Sequence, residues 1–61
     1  MKPIGQQIRM QMVRKDISIT ELAKLINVNR STIHRYLNNE YRPSERKIFQ
    51  LERVLEFTIE R

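Results

Sequence analysis

Four polar residues between positions 30 and 35 have the types and spacing that could read DNA bases. These residues are spaced at i, i+1, i+4 and i+5, so a helix would place them on one face. They are Arg30, Ser31, His34 and Arg35. An arginine guanidinium can donate two hydrogen bonds to guanine, and a serine hydroxyl can pair with several bases. The alternative interpretation is an ordinary helix surface whose polar side chains are solvated. Which interpretation applies depends on whether the surrounding sequence forms the elements that would present this face to DNA.

Two short helices joined by a tight turn are predicted between residues 19 and 36. Ser18 and Glu21 form a Ser-x-x-Glu capping box, which begins the first helix. Asn27 falls where the turn needs a residue that tolerates a positive φ, and Asn29 is a good N-cap for the second helix. This pattern is typical of a helix-turn-helix, whose second helix enters the major groove of DNA.

Catalytic and metal-binding chemistry finds little support in the sequence. His34 is the one histidine and there is no cysteine, so no set of metal ligands has a suitable spacing. Asp16 and Glu21 do not make a convincing catalytic pair, because the capping box already accounts for Glu21. We therefore expect no enzyme activity, no metal and no cofactor.

Length and charge favour one small domain, residues 1–61, with a polyanionic partner. The net charge is +5, and residues 1–47 carry ten Lys/Arg against four Asp/Glu, a balance of +6. Residues 48–61 carry two Arg against three Glu, a balance of −1. No apolar run reaches the roughly 20 residues that a membrane-spanning helix needs. We expect a cytoplasmic protein whose basic field surrounds the two short helices.

The first predicted helix runs from about Pro3 to Lys15, with an apolar residue every four positions at Ile4, Ile8 and Met12. The second ends near Ile26, after which Val28 returns to the core. The third buries Ile33, Tyr36 and Leu37.

Ser44 caps the fourth helix, whose apolar residues at helical spacing are Ile48, Leu51, Val54 and Leu55. Residues 56–60 alternate polar and apolar, which predicts a short strand or a frayed extension of the helix. The expected fold class is all-α, a compact domain of four to five helices with the helix-turn-helix at helices 2 and 3.

Nearly the whole chain resembles the lambda-repressor-like (Cro/C1, XRE) helix-turn-helix family of DNA-binding proteins. The bihelical unit carries the resemblance most specifically, through Ala23 at its fifth position, Asn27 at its turn, and the packing aliphatics Leu22, Ile26, Val28 and Ile33. The resemblance implies a transcriptional regulator of the repressor type, such as a phage or bacterial regulator. It further implies a homodimer on a palindromic operator of double-stranded DNA.

Two departures from the family pattern are informative. The family often pairs an arginine late in helix 1 with a glutamate at the end of the recognition helix, whereas this chain has Met12 and Leu37. Both ends have become apolar together, so we predict that the two side chains pack against each other. The family often has glutamine at the first position of helix 2, where this chain has Ile19. An isoleucine side chain cannot make that polar contact, although the backbone N–H groups at the start of the helix could still meet a phosphate.

By resemblance, Arg30, Ser31 and Arg35 match positions that read base edges, and exposed His34 is a base or phosphate contact. Backbone contacts are assigned to Asn29, Thr32, Asn38, Tyr41 and Arg42. Asn29 could be a cap alone or could serve both roles, and Tyr41 could instead be a partly buried lid over helix 4.

Leu55, Phe57 and Ile59 are too apolar for a free tail. They could simply cap the core. The sharper hypothesis makes them a twofold dimer interface, because two half-sites about one helical turn apart require a symmetric dimer.

Two rival functions remain open. One is an antitoxin or antirepressor type of protein-interaction module that keeps the fold. The other, non-specific binding of nucleic acid or RNA, has less support because stacking on single strands needs exposed aromatic residues and few are placed outward.

Overall fold

The computed structural model describes residues 3–61, which form four helices and no strand. Helix α1 spans Ile4–Lys15, α2 spans Ile19–Leu25, α3 spans Arg30–Leu37 and α4 spans Glu45–Leu55. The all-α prediction is confirmed, with four helices rather than five within the described part of the chain. Residues 56–60 are neither strand nor helix, so both predictions for that segment were wrong.

The ends of α2 and α4 follow the capping chemistry of the sequence. Ser18 Oγ accepts from the backbone N–H of Glu21, and Glu21 Oε1 accepts from the backbone N–H of Ser18. Ser44 Oγ accepts from the backbone N–H of Lys47 in the same way. Each cap satisfies amide groups that a helix start otherwise leaves without partners. These bonds fix where the two helices begin.

Helix α1 begins by a different route from the one predicted. Pro3 occupies the N-cap position rather than the first helical turn, and its side chain makes no capping bond. Asn39 supplies that bond from the loop after α3, because its Oδ1 accepts from the backbone N–H of Gly5 at 2.9 Å. The start of α1 is thereby tied to the end of α3.

One apolar core fills the space between the helices. Its largest fully buried side chains are Ile8, Leu22, Ile26, Ile33, Ile48, Leu51 and Leu55. Burying an aliphatic side chain of this size contributes roughly 1.5–3 kcal/mol, so the set dominates the stability of so small a domain. Val28 is half-buried against this core, as predicted.

The predicted dimer contact at Leu55 and Ile59 is contradicted by burial within a single chain. Leu55 is 0% and Ile59 3% exposed, so neither side chain offers a surface to a second copy. Phe57 is half-buried and packs on the same core. The simpler alternative, in which these residues cap the core, describes the tail. The apolar residues of the tail pack against the core of the same chain.

Hydrogen bonds from two helices hold the tail in place. Gln7 Nε2 donates to the carbonyl of Glu60 at 2.8 Å, and Gln7 Oε1 accepts from the Glu60 amide at 2.7 Å. Glu52 Oε2 accepts from the Ile59 amide at 2.9 Å, and Gln11 Nε2 donates to the Leu55 carbonyl at 2.8 Å. These side chains satisfy backbone groups that a neighbouring strand would otherwise have to satisfy.

Candidate nucleic-acid interface

The turn between α2 and α3 sets the direction of the polar face. Asn27 has φ 58°, as predicted for this position. The backbone N–H of Val28 donates to the carbonyl of Ala23 at 2.9 Å, which closes the turn against α2. Ala23 is 4% exposed, so the two helices meet at a small side chain. Helix α3 therefore leaves the turn in a fixed orientation.

The inward residues of α3 then decide which residues face solvent. Ile33, Tyr36 and Leu37 are buried, as predicted. The residues exposed on the other side are Arg30, Ser31, His34 and Arg35. The structure thus brings all four proposed base-reading residues onto one solvent-facing row of a single helix, whereas Thr32 at its edge is half-buried.

The start of α3 differs from the prediction in one respect. Asn29 lies at the N-cap with an extended backbone, but its side chain makes no capping hydrogen bond. Its backbone carbonyl accepts from the N–H groups of Thr32 and Ile33 at 3.0 and 3.3 Å. The exposed Asn29 amide is therefore not consumed by the helix start, which leaves it able to meet an external group.

Tyr41 lies over the end of α3 rather than over α4, so the proposed lid over helix 4 was wrong. Its ring stacks on Tyr36 with centroids 5.8 Å apart and planes 11° apart. Burial, followed by the electrostatic influence of Tyr41, raises the pKa of the Tyr36 hydroxyl above its ordinary value of 10.0. Tyr41 is still 57% exposed, so it remains available at the surface beside α3.

The loop after α3 turns sharply and keeps its polar groups at the surface. Asn39 holds φ 59°, and the backbone N–H of Glu40 donates to the carbonyl of Arg35 at 2.9 Å. Asn38 Nδ2 donates to Glu40 Oε2 at 3.3 Å. Arg42 is exposed, and the following proline is buried. The loop therefore presents an arginine and an asparagine next to the exposed row of α3.

The arginines of this surface are not engaged in ion pairs. Among residues 3–61, ion pairs join Lys15 to Glu56 and Arg61 to Glu45, and none involves Arg30, Arg35 or Arg42. Uncompensated cations on an exposed face attract a polyanion and release its counterions when they bind it. The charge distribution thus suits DNA better than it suits an apolar partner.

The two departures from the family pattern both become apolar contacts. Met12 and Leu37 are 7% and 6% exposed and border the same surface cavity. Ile19 is half-buried against the core, so its side chain supplies no polar group to DNA. Packing thus replaces polar chemistry at all three positions.

Two residues that hold the helices of this site in place, Gly5 and Lys47, were not predicted from the sequence. A Cβ built on Gly5 would lie 2.4 Å from the Tyr36 carbonyl oxygen and 2.5 Å from that of Leu37. Lys47 Nζ donates to the Ile26 carbonyl at 2.7 Å and so ties α4 to the end of α2. The available signal was that Gly5 is the one glycine of the chain and lies inside a predicted helix, where close packing is a common cause.

Other kinds of site are not supported by the described residues. Within positions 3–61, no group of three His, Asp or Glu side chains is arranged to hold a metal ion. None of the helices in that range is both long and apolar enough to cross a bilayer.

Comparison with known families and structures points the same way as the geometry. The helix-turn-helix family model of the XRE type matches residues 8–61. No curated protein matches the chain.

Two solved structures are similar over most of the chain. One is SinR, a master regulator for biofilm formation, in complex with DNA. It is 28% identical with a TM-score of 0.81 over 90% of this chain and 89% of that chain. The other is a chain of the complex between the SinR and SinI proteins, with the same identity and TM-score over 90% of this chain. This chain spans 54% of that second chain.

Proposed function

The chain belongs to the XRE-type helix-turn-helix family of DNA-binding transcriptional regulators, and from that premise we propose that it reads a specific sequence of double-stranded DNA. The observation that carries the proposal is the exposed row Arg30, Ser31, His34 and Arg35 on α3. Membership in this family supports a non-enzymatic role. The similar SinR structure contains DNA.

The division of labour follows from position on the surface. Arg30, Ser31, His34 and Arg35 contact base edges in the major groove, where donors and acceptors distinguish all four base pairs. The groups that contact phosphates and fix the register are Asn29, Thr32, Asn38, Tyr41 and Arg42. Tyr41 is suited to this because its ring stacks on Tyr36 while more than half of the residue stays exposed.

The regulator acts as a homodimer on a palindromic operator, with half-sites about one helical turn apart. It represses by occupying the operator and excluding polymerase, in the cytoplasm where the DNA lies. Leu55 and Ile59 are buried in one chain, so the twofold contact uses other residues.

Selection of binding sites from a random duplex pool tests the proposal. The pool is screened near physiological salt, where non-specific phosphate binding is weak. We expect an enriched palindrome whose half-site spacing matches the dimer. An enriched site without twofold symmetry would contradict the homodimer, and no enrichment by a folded protein would contradict sequence-specific binding.

A protein-interaction role of the antirepressor or antitoxin type is the second candidate. Its support is that one similar chain comes from a complex of two proteins, SinR and SinI. The apolar tail no longer favours it, because Leu55 and Ile59 are buried. The uncompensated arginines of α3 favour DNA as the principal partner.

A further inference from the structure

A shallow groove between α2 and α4 carries exposed apolar side chains that the DNA-binding role does not use. Its volume is about 410 Å³, and its lining consists of Leu25, Arg46, Phe49, Gln50, Arg53 and Val54. Leu25 is 58% and Phe49 57% exposed, although aromatic and large aliphatic side chains normally gain by burial. We propose that this groove binds an acidic, amphipathic helical segment of another protein.

Helix α4 presents two faces, of which only one is used by the core. Ile48, Leu51 and Leu55 are buried. Arg46, Phe49 and Arg53 lie at i, i+3 and i+7 and are exposed on another side. The same spacing on a partner helix would let its own apolar row lie along Leu25 and Phe49, as in other helix-in-groove complexes.

The composition of the groove resembles the centre of a protein interface. Aromatic residues and arginine are enriched in such interfaces, whereas lysine, aspartate and glutamate are depleted. The lining has two arginines and one phenylalanine and contains none of the depleted types. The Arg53 guanidinium carbon lies 5.6 Å from the centroid of the Phe49 ring, so the charge is held beside the apolar surface.

The positive charge of the groove favours an acidic partner. Arg46 and Arg53 make no ion pair among the described residues. The acidic residues of α4 are engaged elsewhere, because Glu45 pairs with Arg61 and Glu52 accepts from the Ile59 amide. Carboxylates on the flanks of a partner helix would therefore meet two available arginines.

Two other occupants fit less well. A second copy docked by twofold symmetry would bring the same arginines toward each other with no acid in the lining to separate them. Phosphates would pair with Arg46 and Arg53 but gain nothing from Leu25 and Phe49. An acidic amphipathic helix satisfies both the charges and the apolar surface.

None of the lining residues is assigned to DNA, so the inference does not depend on the proposed function.

A displayed library of random helical peptides tests the inference. It is selected on the full chain and counter-selected on the Phe49→Ser variant, whose substitution lies at an exposed position and leaves the core intact. We expect the enriched peptides to combine an i, i+3, i+7 apolar row with Asp or Glu on its flanks. Enrichment of basic or neutral peptides, or none that depends on Phe49, would overturn the proposal.

Matched variants separate the groove from general charge attraction. Arg53→Glu should weaken a selected peptide by about tenfold or more, as should Phe49→Ser. Arg14→Glu makes the same change of net charge on exposed α1 and should leave peptide binding within about twofold. Equal weakening by Arg14→Glu would contradict the groove. A dimer of the full chain that sediments without peptide and is lost in Phe49→Ser would identify a second copy as the occupant instead.

Discussion

Arg30 and Arg42 are both exposed, yet their positions imply different contacts with DNA. Arg30 is the first residue of α3, in the row with Ser31 and His34, whereas Arg42 lies in the loop beyond that helix. A base edge carries sequence information and a phosphate does not. The two residues should therefore differ in how their loss depends on sequence and on salt.

Replacing each arginine by alanine tests this difference. Arg30→Ala should cost about 1–3 kcal/mol on the preferred site and relax the preference at one base position. Arg42→Ala should weaken binding about equally on all sequences and reduce the slope of log K against log salt by about 1. Fluorescence anisotropy on the selected site and its single-base variants, over a salt series, measures both quantities.

A different result would contradict the prediction for each arginine. Uniform weakening of every sequence by Arg30→Ala would remove Arg30 from base reading. An unchanged salt slope for Arg42→Ala would remove Arg42 from phosphate contact. Phe49→Ser is a suitable control, because its substitution lies outside the proposed DNA surface.

At the scale of elements, Gly5 lets α1 approach the end of α3 more closely than any other residue would. A Cβ there would lie 2.4 Å from a backbone oxygen, which is not the movable end of a side chain. The same glycine donates its N–H to Asn39, so one position serves both packing and capping. The contact fixes the distance between α1 and the end of α3, and hence the position of the exposed row on α3.

Gly5→Ala should destabilise the domain by about 1–3 kcal/mol, because the backbone must move to admit the methyl group. Helix propensity alone predicts the opposite sign, since alanine stabilises a helix interior by about 1 kcal/mol relative to glycine. Urea denaturation measures the free energy of unfolding. Gln6→Ala, at the exposed neighbouring position, is the control and should be close to neutral. A Gly5→Ala protein that is more stable than the parent chain would show that the backbone of α1 and α3 moves apart at little cost.

The ends of α1 and α4 are joined by the ion pair between Lys15 and Glu56. The hydrogen bond from Lys15, together with its charge, holds the pKa of Glu56 below its ordinary value of 4.5. A carboxyl whose pKa is lowered by folding stabilises the folded state while it is ionised. That contribution is complete above the unfolded value and is lost as the pH falls through the folded value.

Glu56→Gln should therefore reduce stability at neutral pH, and the difference from the parent chain should shrink as the pH falls below 4.5. Glutamine keeps the side-chain shape at this left-handed position, so the comparison isolates the charge. Thermal melts at a series of pH values measure the difference. Glu60→Gln removes an exposed carboxylate outside this pair and serves as control. A difference independent of pH would contradict the assignment.

At the scale of the whole molecule, the tail completes the core across the full length of the chain. Gln7 on α1 makes two hydrogen bonds to the backbone of Glu60, 53 positions away. The preceding residue, Ile59, is 3% exposed and belongs to the apolar core. The tail is thus a structural part of the domain.

Gln7→Ala should release the tail, because it removes both partners of the Glu60 backbone. The Glu60 amide should lose protection against hydrogen exchange, and the free energy of unfolding should fall by about 1–3 kcal/mol. Exchange measured by NMR reports the first effect and chemical denaturation the second. Gln6→Ala provides the exposed control. Unchanged protection at Glu60 would show that the tail is held by apolar packing alone.

The sequence predicted the helices well because their signals are local. The capping box of Ser18 and Glu21, the turn at Asn27 and the cap at Ser44 each depend on residues a few positions apart, and the structure contains all of them. The bond from Asn39 to the start of α1 spans 34 positions and leaves no local pattern. Such distant contacts could not be predicted from spacing.

The tail shows the same limit. The alternation at Phe57 and Ile59 correctly marked apolar side chains that need cover, but a strand also needs a neighbouring backbone edge. In the described chain that role is taken by the side chains of Gln7 and Glu52. Their partners are known only once the helices are packed. The exposed row of α3, in contrast, followed from helical periodicity alone.

The position of Ile59 in the core has a consequence for synthesis of the protein. The ribosome makes α1 first, but the cover for the core comes from residues near position 59. Before those residues emerge, the nascent helices lack part of their apolar cover and lack both backbone groups that Gln7 binds. The helices therefore complete their core only when the residues near position 59 are available, so we expect the domain to fold as one unit and not helix by helix.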